Sequence, residues 1–147
     1  MKIRFENRDK FKVCGYVTES DQENNDRDLE ELWSKYEDKL RKMPESKSCV
    51  YGVMWYTDET HKRYCYLLGI ETDEFQNDMT FVEVPTGHFA VATVPKEMDA
   101  KEAWAEFFYK AIPASGFMPD ENHGIYFEFF NQNGDYELWT PIKPMEN

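Results

Sequence analysis

Basic residues are scarce in this sequence relative to acidic ones. Lys and Arg total 17 against 29 Asp and Glu, which gives a net charge of −12 at pH 7. Nucleic-acid binding requires a basic surface that neutralises phosphates, so the charge argues against direct contact with DNA or RNA. The same charge disfavours anionic membranes, and it favours cationic partners only weakly, because a negative surface chiefly keeps a protein soluble.

Cysteine is also scarce, and long apolar runs are missing. Cys14, Cys49 and Cys65 form an odd, widely spaced set, which indicates reduced thiols rather than a disulfide framework. No Cys-x-x-Cys or His-x-x-x-His pair occurs, so we expect neither a metal site nor a cofactor. No run reaches membrane-spanning length, and the first residues lack the apolar core of a secretory signal. We therefore expect a cytoplasmic protein that forms one domain over residues 1–147.

Aromatic residues, in contrast, are abundant. They make up 16% of the chain, with 4 Trp, 9 Tyr and 11 Phe. Such an excess supplies core and sheet material first of all. It is also what a pocket for flat organic ligands requires.

The segment from Ile125 to Ile142 reads as an aromatic hairpin. Asn133-Gly134 favours a two-residue type I′ turn. This turn predicts one face that carries Tyr126, Glu128, Phe130, Glu137 and Trp139. The opposite face would carry Phe127, Phe129, Tyr136 and Leu138. A four-residue loop keeps these faces, whereas a three-residue loop with a bulge would flip one strand.

Two interpretations of the face with two carboxylates stay open. It is either a solvated sheet face, where Glu and aromatic residues are ordinary, or the wall of a pocket. In a pocket, the rings would supply apolar area and cation–π attraction, and the carboxylates would supply counter-charge. Such a pocket would suit a flat, cationic or amphipathic molecule.

Two helices are marked by caps and apolar periodicity. Asp28, with Glu31, predicts the start of the first helix, and Asp99, with Glu102, predicts the start of the second. Each helix has an early tryptophan and ends near a proline. Strands are expected around them, at residues 11–18, 49–56, 63–71, 81–84 and 88–94, besides the hairpin.

The order of elements repeats as β-α-β-β in the two halves of the chain. We therefore predict an α+β fold in which two β-α-β-β repeats form a curved antiparallel sheet with two helices on one side. A ligand cleft is expected near the pseudo-twofold axis between the repeats.

Motifs along nearly the whole chain resemble the GyrI-like family of small-molecule-binding proteins, the module that also forms the effector-binding domain of drug-responsive bacterial transcription activators such as BmrR and Rob. The motifs that carry the resemblance are residues 51–53, 66–71, 84–91, 104–109, 113–117, 127–130 and 137–142. The order and spacing of these pieces are more specific than any one of them.

The resemblance implies a pocket for lipophilic cations and planar aromatic compounds. Glu128 and Glu137 match the family's acidic positions, and Trp139 stands where Tyr is common. Tyr51, Trp55 and Tyr66 are additional ligand-binding candidates from the first repeat, for which a core role fits equally well. The DNA-binding segment of the activators has no counterpart here, so we expect a stand-alone module.

Three functions follow from these observations. The first is a binding or sensing protein for cationic aromatic drugs or toxins. The second is a hydrolase of cyclopropane-type toxins, in which Glu128 or Glu137 would act as general acid or base. No nucleophile motif supports the enzyme. The third is a gyrase-inhibitor-like module that binds a protein partner through its acidic surface.

Overall fold

The computed structural model describes residues 1–74 and 76–146. Its helices are α1 (Asn25–Lys42) and α2 (Ala100–Glu106), the latter followed by a π-helical turn (Phe107–Ala111) and a last turn, α3 (Ile112–Ala114). A 3-10 turn covers Pro44–Ser46. The strands are β1 (Ile3–Arg8), β2 (Phe11–Asp21), β3 (Val50–Tyr56), β4 (Arg63–Glu71), β5 (Thr80–Val84), β6 (Gly87–Thr93), β7 (Phe117–Pro119), β8 (Tyr126–Phe130) and β9 (Tyr136–Pro144).

The strands form one antiparallel sheet whose order reveals the repeat. The order is β1-β6-β9-β8-β3-β4-β2-β5, with the short β7 paired to β9. Each half of the sheet consists of one outer strand, then the first strand of a repeat, and then the hairpin of that repeat. The halves are β1-β6-β9-β8 and β5-β2-β4-β3, so that β3 and β8 meet at the centre. The predicted α+β fold with two β-α-β-β repeats is therefore confirmed.

The sheet is strongly curved, and its two faces have different cores. Residues 9–10 join β1 to β2, and residues 85–86 join β5 to β6, although these strands lie at opposite ends of the strand order. These short links pull the two ends of the sheet together. The concave face thereby encloses a core without help from a helix, with Val13, Val53, Leu67, Val91 and Phe127 fully buried.

The two helices cover the convex face, one for each repeat. Leu32 and Leu40 of α1 pack with β2, β3 and β4, and Ala103 of α2 packs with β6 and β9. The predicted placement of both helices on one side is thus confirmed. In the part of the chain that the structure describes, neither helix has the length and apolar character needed to cross a membrane.

The helix starts agree with the sequence in one case and differ in the other. Asp99 caps α2, where its carboxylate accepts the amide of Glu102 at 2.8 Å. Helix α1 starts before Asp28, so the predicted cap there is wrong. Asp28 lies in the first turn and accepts the Ser20 hydroxyl at 2.8 Å.

The loop of the C-terminal hairpin contains three residues, so the predicted two-residue turn is wrong. Phe130 pairs with Tyr136, and the Asn131 amide donates to the Asp135 carbonyl at 3.0 Å. The Asn131 side chain accepts the amides of Asn133 and Asp135, each at 2.9 Å. Gly134, at φ 81°, provides the left-handed residue that such a loop requires.

This loop shifts the strand register by one residue from the prediction. Glu128 lies opposite Leu138, and Trp139 lies opposite Phe127. A shift of one residue moves every side chain of a strand to the other face. Glu137 and Trp139 therefore lie on the concave face, away from Glu128, and the predicted wall with two carboxylates does not exist.

Candidate functional site

Glu128 is a buried carboxylate at the centre of the convex face. Strand β8 holds it beside β3, with only 7% of its surface exposed. Tyr66 donates its hydroxyl to Oε1 at 2.8 Å, and the indole N–H of Trp104 donates to Oε2 at 3.1 Å. Tyr136 also donates its hydroxyl to Oε2. Three neutral donors thus surround one acid.

Burial controls the protonation of this group. Desolvation raises the pKa of Glu128, and the hydrogen bonds from Tyr136, Tyr66 and Trp104 oppose the rise without cancelling it. The effect is reciprocal, because burial and the nearby carboxylate also raise the pKa values of Tyr66 and Tyr136. These phenols therefore remain donors at physiological pH.

No basic side chain compensates the charge of Glu128 among the described residues. Its hydrogen-bond partners are phenols and an indole, and the ion pairs of the described chain involve other carboxylates. A buried ionised carboxylate without a cation is costly. The site consequently favours either a proton or a cation at this position.

A glycine makes room for the site. Gly52 lies directly opposite Glu128 in the sheet. A Cβ atom at this position would lie 2.0 Å from the Tyr66 hydroxyl oxygen and 2.9 Å from Oε1 of Glu128. The hydrogen bond between Tyr66 and Glu128 therefore depends on the missing side chain of residue 52.

The register shows that the site lies on the pseudo-twofold axis. An axis through the pair Gly52 and Glu128 exchanges β3 with β8 and β4 with β9. The exchange places Met54 on Phe130. Because Tyr66 pairs with Met54 and Tyr136 pairs with Phe130, it also places Tyr66 on Tyr136. Both tyrosines donate to the same carboxylate, so equivalent side chains of the two repeats converge on one acid.

A tryptophan from each helix completes this arrangement. Trp104 of α2 bonds Glu128 directly, whereas the indole N–H of Trp33 in α1 donates to the Tyr66 hydroxyl at 3.3 Å. Both tryptophans are half-buried. Each helix therefore contributes one tryptophan to the cluster: Trp104 bonds the carboxylate directly, and Trp33 reaches it through a phenol.

More rings extend the cluster toward the surface on both sides. On the side of α1, Phe130 stacks on Tyr136 with ring centres 4.6 Å apart and meets Trp33 edge-on at 4.7 Å. On the other side, the ring centre of Phe108 lies 5.7 Å from the ring centres of Trp104 and Tyr126. Phe108 belongs to the π-helical turn, a feature that often occurs at functional sites.

The sheet separates the residues predicted from sequence to line one site. Glu128, Tyr126, Phe130 and Tyr66 share the convex face. The other candidates face the concave core, and they are Glu137, Trp139, Tyr51 and Trp55. Any ligand-binding role of these residues stays a prediction, but one pocket wall does not contain all of them.

Glu137 also differs from Glu128 in its partners. Arg4 pairs with it at 2.9 Å, and the Trp139 indole N–H donates to it at 3.1 Å. Its charge is thus compensated within the chain. Tyr51 also has an arginine partner. The Arg8 guanidinium donates to the Tyr51 hydroxyl at 3.4 Å and to the Glu71 carboxylate at 2.8 Å.

Three residues of the carboxylate cluster were missed as site residues by sequence reasoning. The predicted register places Tyr136 on the face opposite Glu128, and the two helical tryptophans, Trp33 and Trp104, are not among the predicted ligand-binding residues. The signal was nevertheless present. Each helix has one tryptophan, and a buried indole N–H usually requires an acceptor.

Comparisons with known proteins identify the fold. A model of a family described as Cass2, integron-associated effector binding protein, matches residues 4–142. The integron cassette protein VCH_CASS2 of Vibrio cholerae is similar in structure, with a TM-score of 0.71 and 16% identity over 96% of this chain and 95% of that chain. A comparison with curated protein sequences found no match.

Two further structures share the fold. SAV2435, solved with bound tetraphenylphosphonium, has a TM-score of 0.72 and 11% identity over 97% of this chain and 94% of that chain. The C-terminal domain of EcmrR has a TM-score of 0.58 and 8% identity over 98% of each chain. EcmrR has also been solved in a complex with DNA. These matches confirm the GyrI-like resemblance inferred from the sequence motifs.

Proposed function

We propose, from the premise that the chain belongs to the integron-associated effector binding protein family, that it binds lipophilic organic cations at Glu128. Membership of an effector-binding family fits small-molecule binding in general. The choice of a cationic ligand comes from the site. Glu128 is a buried carboxylate whose partners are all neutral donors, and this observation carries the proposal.

The physical reason is charge compensation. An ionised carboxylate in a low-dielectric site is costly, and a cation that enters the site repays part of that cost. Trp104, Tyr66 and Tyr136 reach the carboxylate with the N–H and O–H groups at their ring edges. A cation that binds beside them gains cation–π attraction where it lies over a ring face. A cation–π contact contributes roughly 0.5–2 kcal/mol, depending on how fully it is desolvated. Lipophilic cations carry both a positive charge and an apolar surface, which are complementary to a carboxylate among aromatic rings.

The choice of Glu128 over Glu137 follows from their partners. Arg4 compensates Glu137, so a cationic ligand there would have to compete with an existing ion pair. Glu128 has only phenol and indole donors to release. A protein with the same fold supports this class of ligand, since SAV2435 was solved with bound tetraphenylphosphonium.

The experiment is a calorimetric titration with tetraphenylphosphonium at neutral pH. We expect the parent protein to bind this cation and Glu128→Gln to bind it at least about tenfold more weakly, because the substitution keeps the shape and removes the charge. Glu137→Gln is the matched control on the opposite face and should stay within about twofold of the parent. Triphenylphosphine oxide, a neutral compound of similar shape, should not distinguish the parent from Glu128→Gln.

The opposite pattern would remove the proposal. If the parent and Glu128→Gln bind the cation equally, Glu128 does not supply the counter-charge. If Glu137→Gln causes the larger loss, the ligand site lies on the concave face.

A further inference from the structure

The symmetry of the Glu128 site limits the shape of its ligand. The pseudo-twofold axis passes between Glu128 and Gly52, which is the equivalent position in the other repeat. The site therefore contains one carboxylate at its centre instead of two placed on either side. A single central charge is complementary to one positive charge near the middle of a ligand.

The two carboxylate oxygens receive donors from different repeats. Tyr66 of the first repeat donates to Oε1, and Tyr136 and Trp104 of the second repeat donate to Oε2. A cation that replaces these donors on the axis meets both halves at once. Its substituents must then extend into both halves of the protein.

An aromatic surface lies beside each helix, on either side of Glu128. Trp33 of α1 is in edge contact with Phe130 of the second repeat, and Trp104 of α2 lies beside Phe108. Both indoles are half-buried, so part of each ring is accessible to a ligand. Two similar aromatic surfaces on either side of one charge provide places for two similar aromatic groups.

We propose that the preferred ligand is an organic cation whose positive charge lies between two similar aromatic arms, one against the tryptophan of each helix. This inference rests on the proposed function and specifies its substrate class. The surfaces are similar rather than identical, because Trp33 reaches the carboxylate through Tyr66 and Trp104 reaches it directly. The arms should therefore contribute comparable, not equal, affinity.

Two isomeric cations test the shape requirement without changing charge or composition. Dibenzyldimethylammonium has one phenyl group on each of two arms, whereas benzhydryltrimethylammonium has both phenyl groups on one carbon. We expect the two-armed isomer to bind at least about fivefold more tightly in calorimetric titrations, since one aromatic contact is worth about threefold to tenfold. Equal or tighter binding of the one-armed isomer would overturn the inference.

Variants of the two tryptophans test the role of each repeat. Trp33→Leu and Trp104→Leu should each weaken binding of the two-armed isomer by about threefold to tenfold. Trp55→Leu, on the concave face, is the matched control and should leave binding unchanged. If one tryptophan accounts for the whole loss, the ligand occupies only one half and the inference fails. Trp33→Phe and Trp104→Phe, which retain a ring, replace any leucine variant that does not fold, and smaller but still comparable losses are expected from them.

The outcomes also separate this inference from the function on which it rests. Binding of tetraphenylphosphonium that depends on Glu128, without a preference between the isomers, would leave the proposed function intact and refute the two-arm requirement. Absence of binding of every cation would refute both.

Discussion

Gly52→Ala changes the site by one methyl group and tests its geometry directly. The new Cβ would lie 2.0 Å from the hydroxyl oxygen and 2.4 Å from Cζ of Tyr66, and 2.9 Å from Oε1 of Glu128. These separations are far below contact distance. Tyr66 is 1% exposed, so its ring has little room to move away.

The expected cost combines two effects. Overpacking a well-filled core typically costs about 1–3 kcal/mol. Displacing the Tyr66 hydroxyl also breaks its hydrogen bond to Glu128. A hydrogen bond to a neutral acceptor contributes about 0.5–1.5 kcal/mol, and its loss adds to the cost. Replacing a strand glycine by alanine gains back roughly 0.5–1 kcal/mol. We therefore expect a net loss of about 0.5–4 kcal/mol, set against the roughly 5–15 kcal/mol typical of a folded domain.

Urea unfolding, followed by tryptophan fluorescence and circular dichroism, measures this loss. Gly116→Ala is the control, because none of the described residues lies within 4 Å of a Cβ added at Gly116. Its φ of 84° gives that variant a backbone cost of about 1–2 kcal/mol, with cation binding unchanged. Gly52→Ala should lose cation binding as well as stability.

A double-mutant cycle identifies the clash as the cause. In a Tyr66→Phe background, the nearest clashing atom is missing, so Gly52→Ala should cost less there than in the parent. Some cost remains, because the Cζ atom is retained. If Gly52→Ala leaves stability unchanged, or if its cost is the same in both backgrounds, the packing of Tyr66 between Gly52 and Glu128 is not as described.

Three further predictions concern the same carboxylate and one helix cap. Burial raises the pKa of Glu128 above its value in the unfolded chain, so the stability contributed by the protonated group is present below the unfolded pKa and is lost as pH rises through the folded pKa. In urea unfolding as pH rises from the ordinary glutamate pKa of about 4.3, the parent should therefore lose stability relative to Glu128→Gln, and a gain would contradict the assignment. The affinity for a permanent cation should fall by up to about tenfold per pH unit below the raised pKa of Glu128. In Glu128→Gln this pH dependence should disappear, and titration calorimetry measures both affinities. Asp99→Ala should destabilise the fold by about 1 kcal/mol, because Asp99 caps α2, whereas Asp99→Asn should retain most of the stability in the same unfolding assay.

The fold was largely predictable because its signals are local. The apolar stripe of α1, with Leu32 and Leu40 buried, follows helical spacing, and Asp99 provides the cap that its sequence context indicates. The β-α-β-β order could be read twice along the chain, and two such units have few ways to join into one sheet. Each of these inferences depends on many residues, so a single misjudged position does not change the result.

The site was less predictable because it depends on one residue of register. The side chain of Asn131 accepts two amides of the loop and thereby selects a three-residue connection, although Asn133-Gly134 favours a shorter one. That choice places Tyr136 beside Glu128 and moves Glu137 to the other face. The interactions of Trp33 and Trp104 were out of reach for a further reason, since periodicity shows which side of a helix is buried but not which polar group an indole N–H meets.

The most direct test of the central claim is the pKa of Glu128 itself, with and without a cation. A carbon-13 NMR titration of its side-chain carboxyl, assigned with Glu128→Gln, measures this value in the free protein and in the presence of tetraphenylphosphonium. We predict a pKa raised above that of an ordinary glutamate in the free protein and a clearly lower pKa in the complex, because the cation stabilises the ionised form. An unchanged pKa in a complex that has demonstrably formed would show that the ligand charge lies elsewhere and would contradict the account.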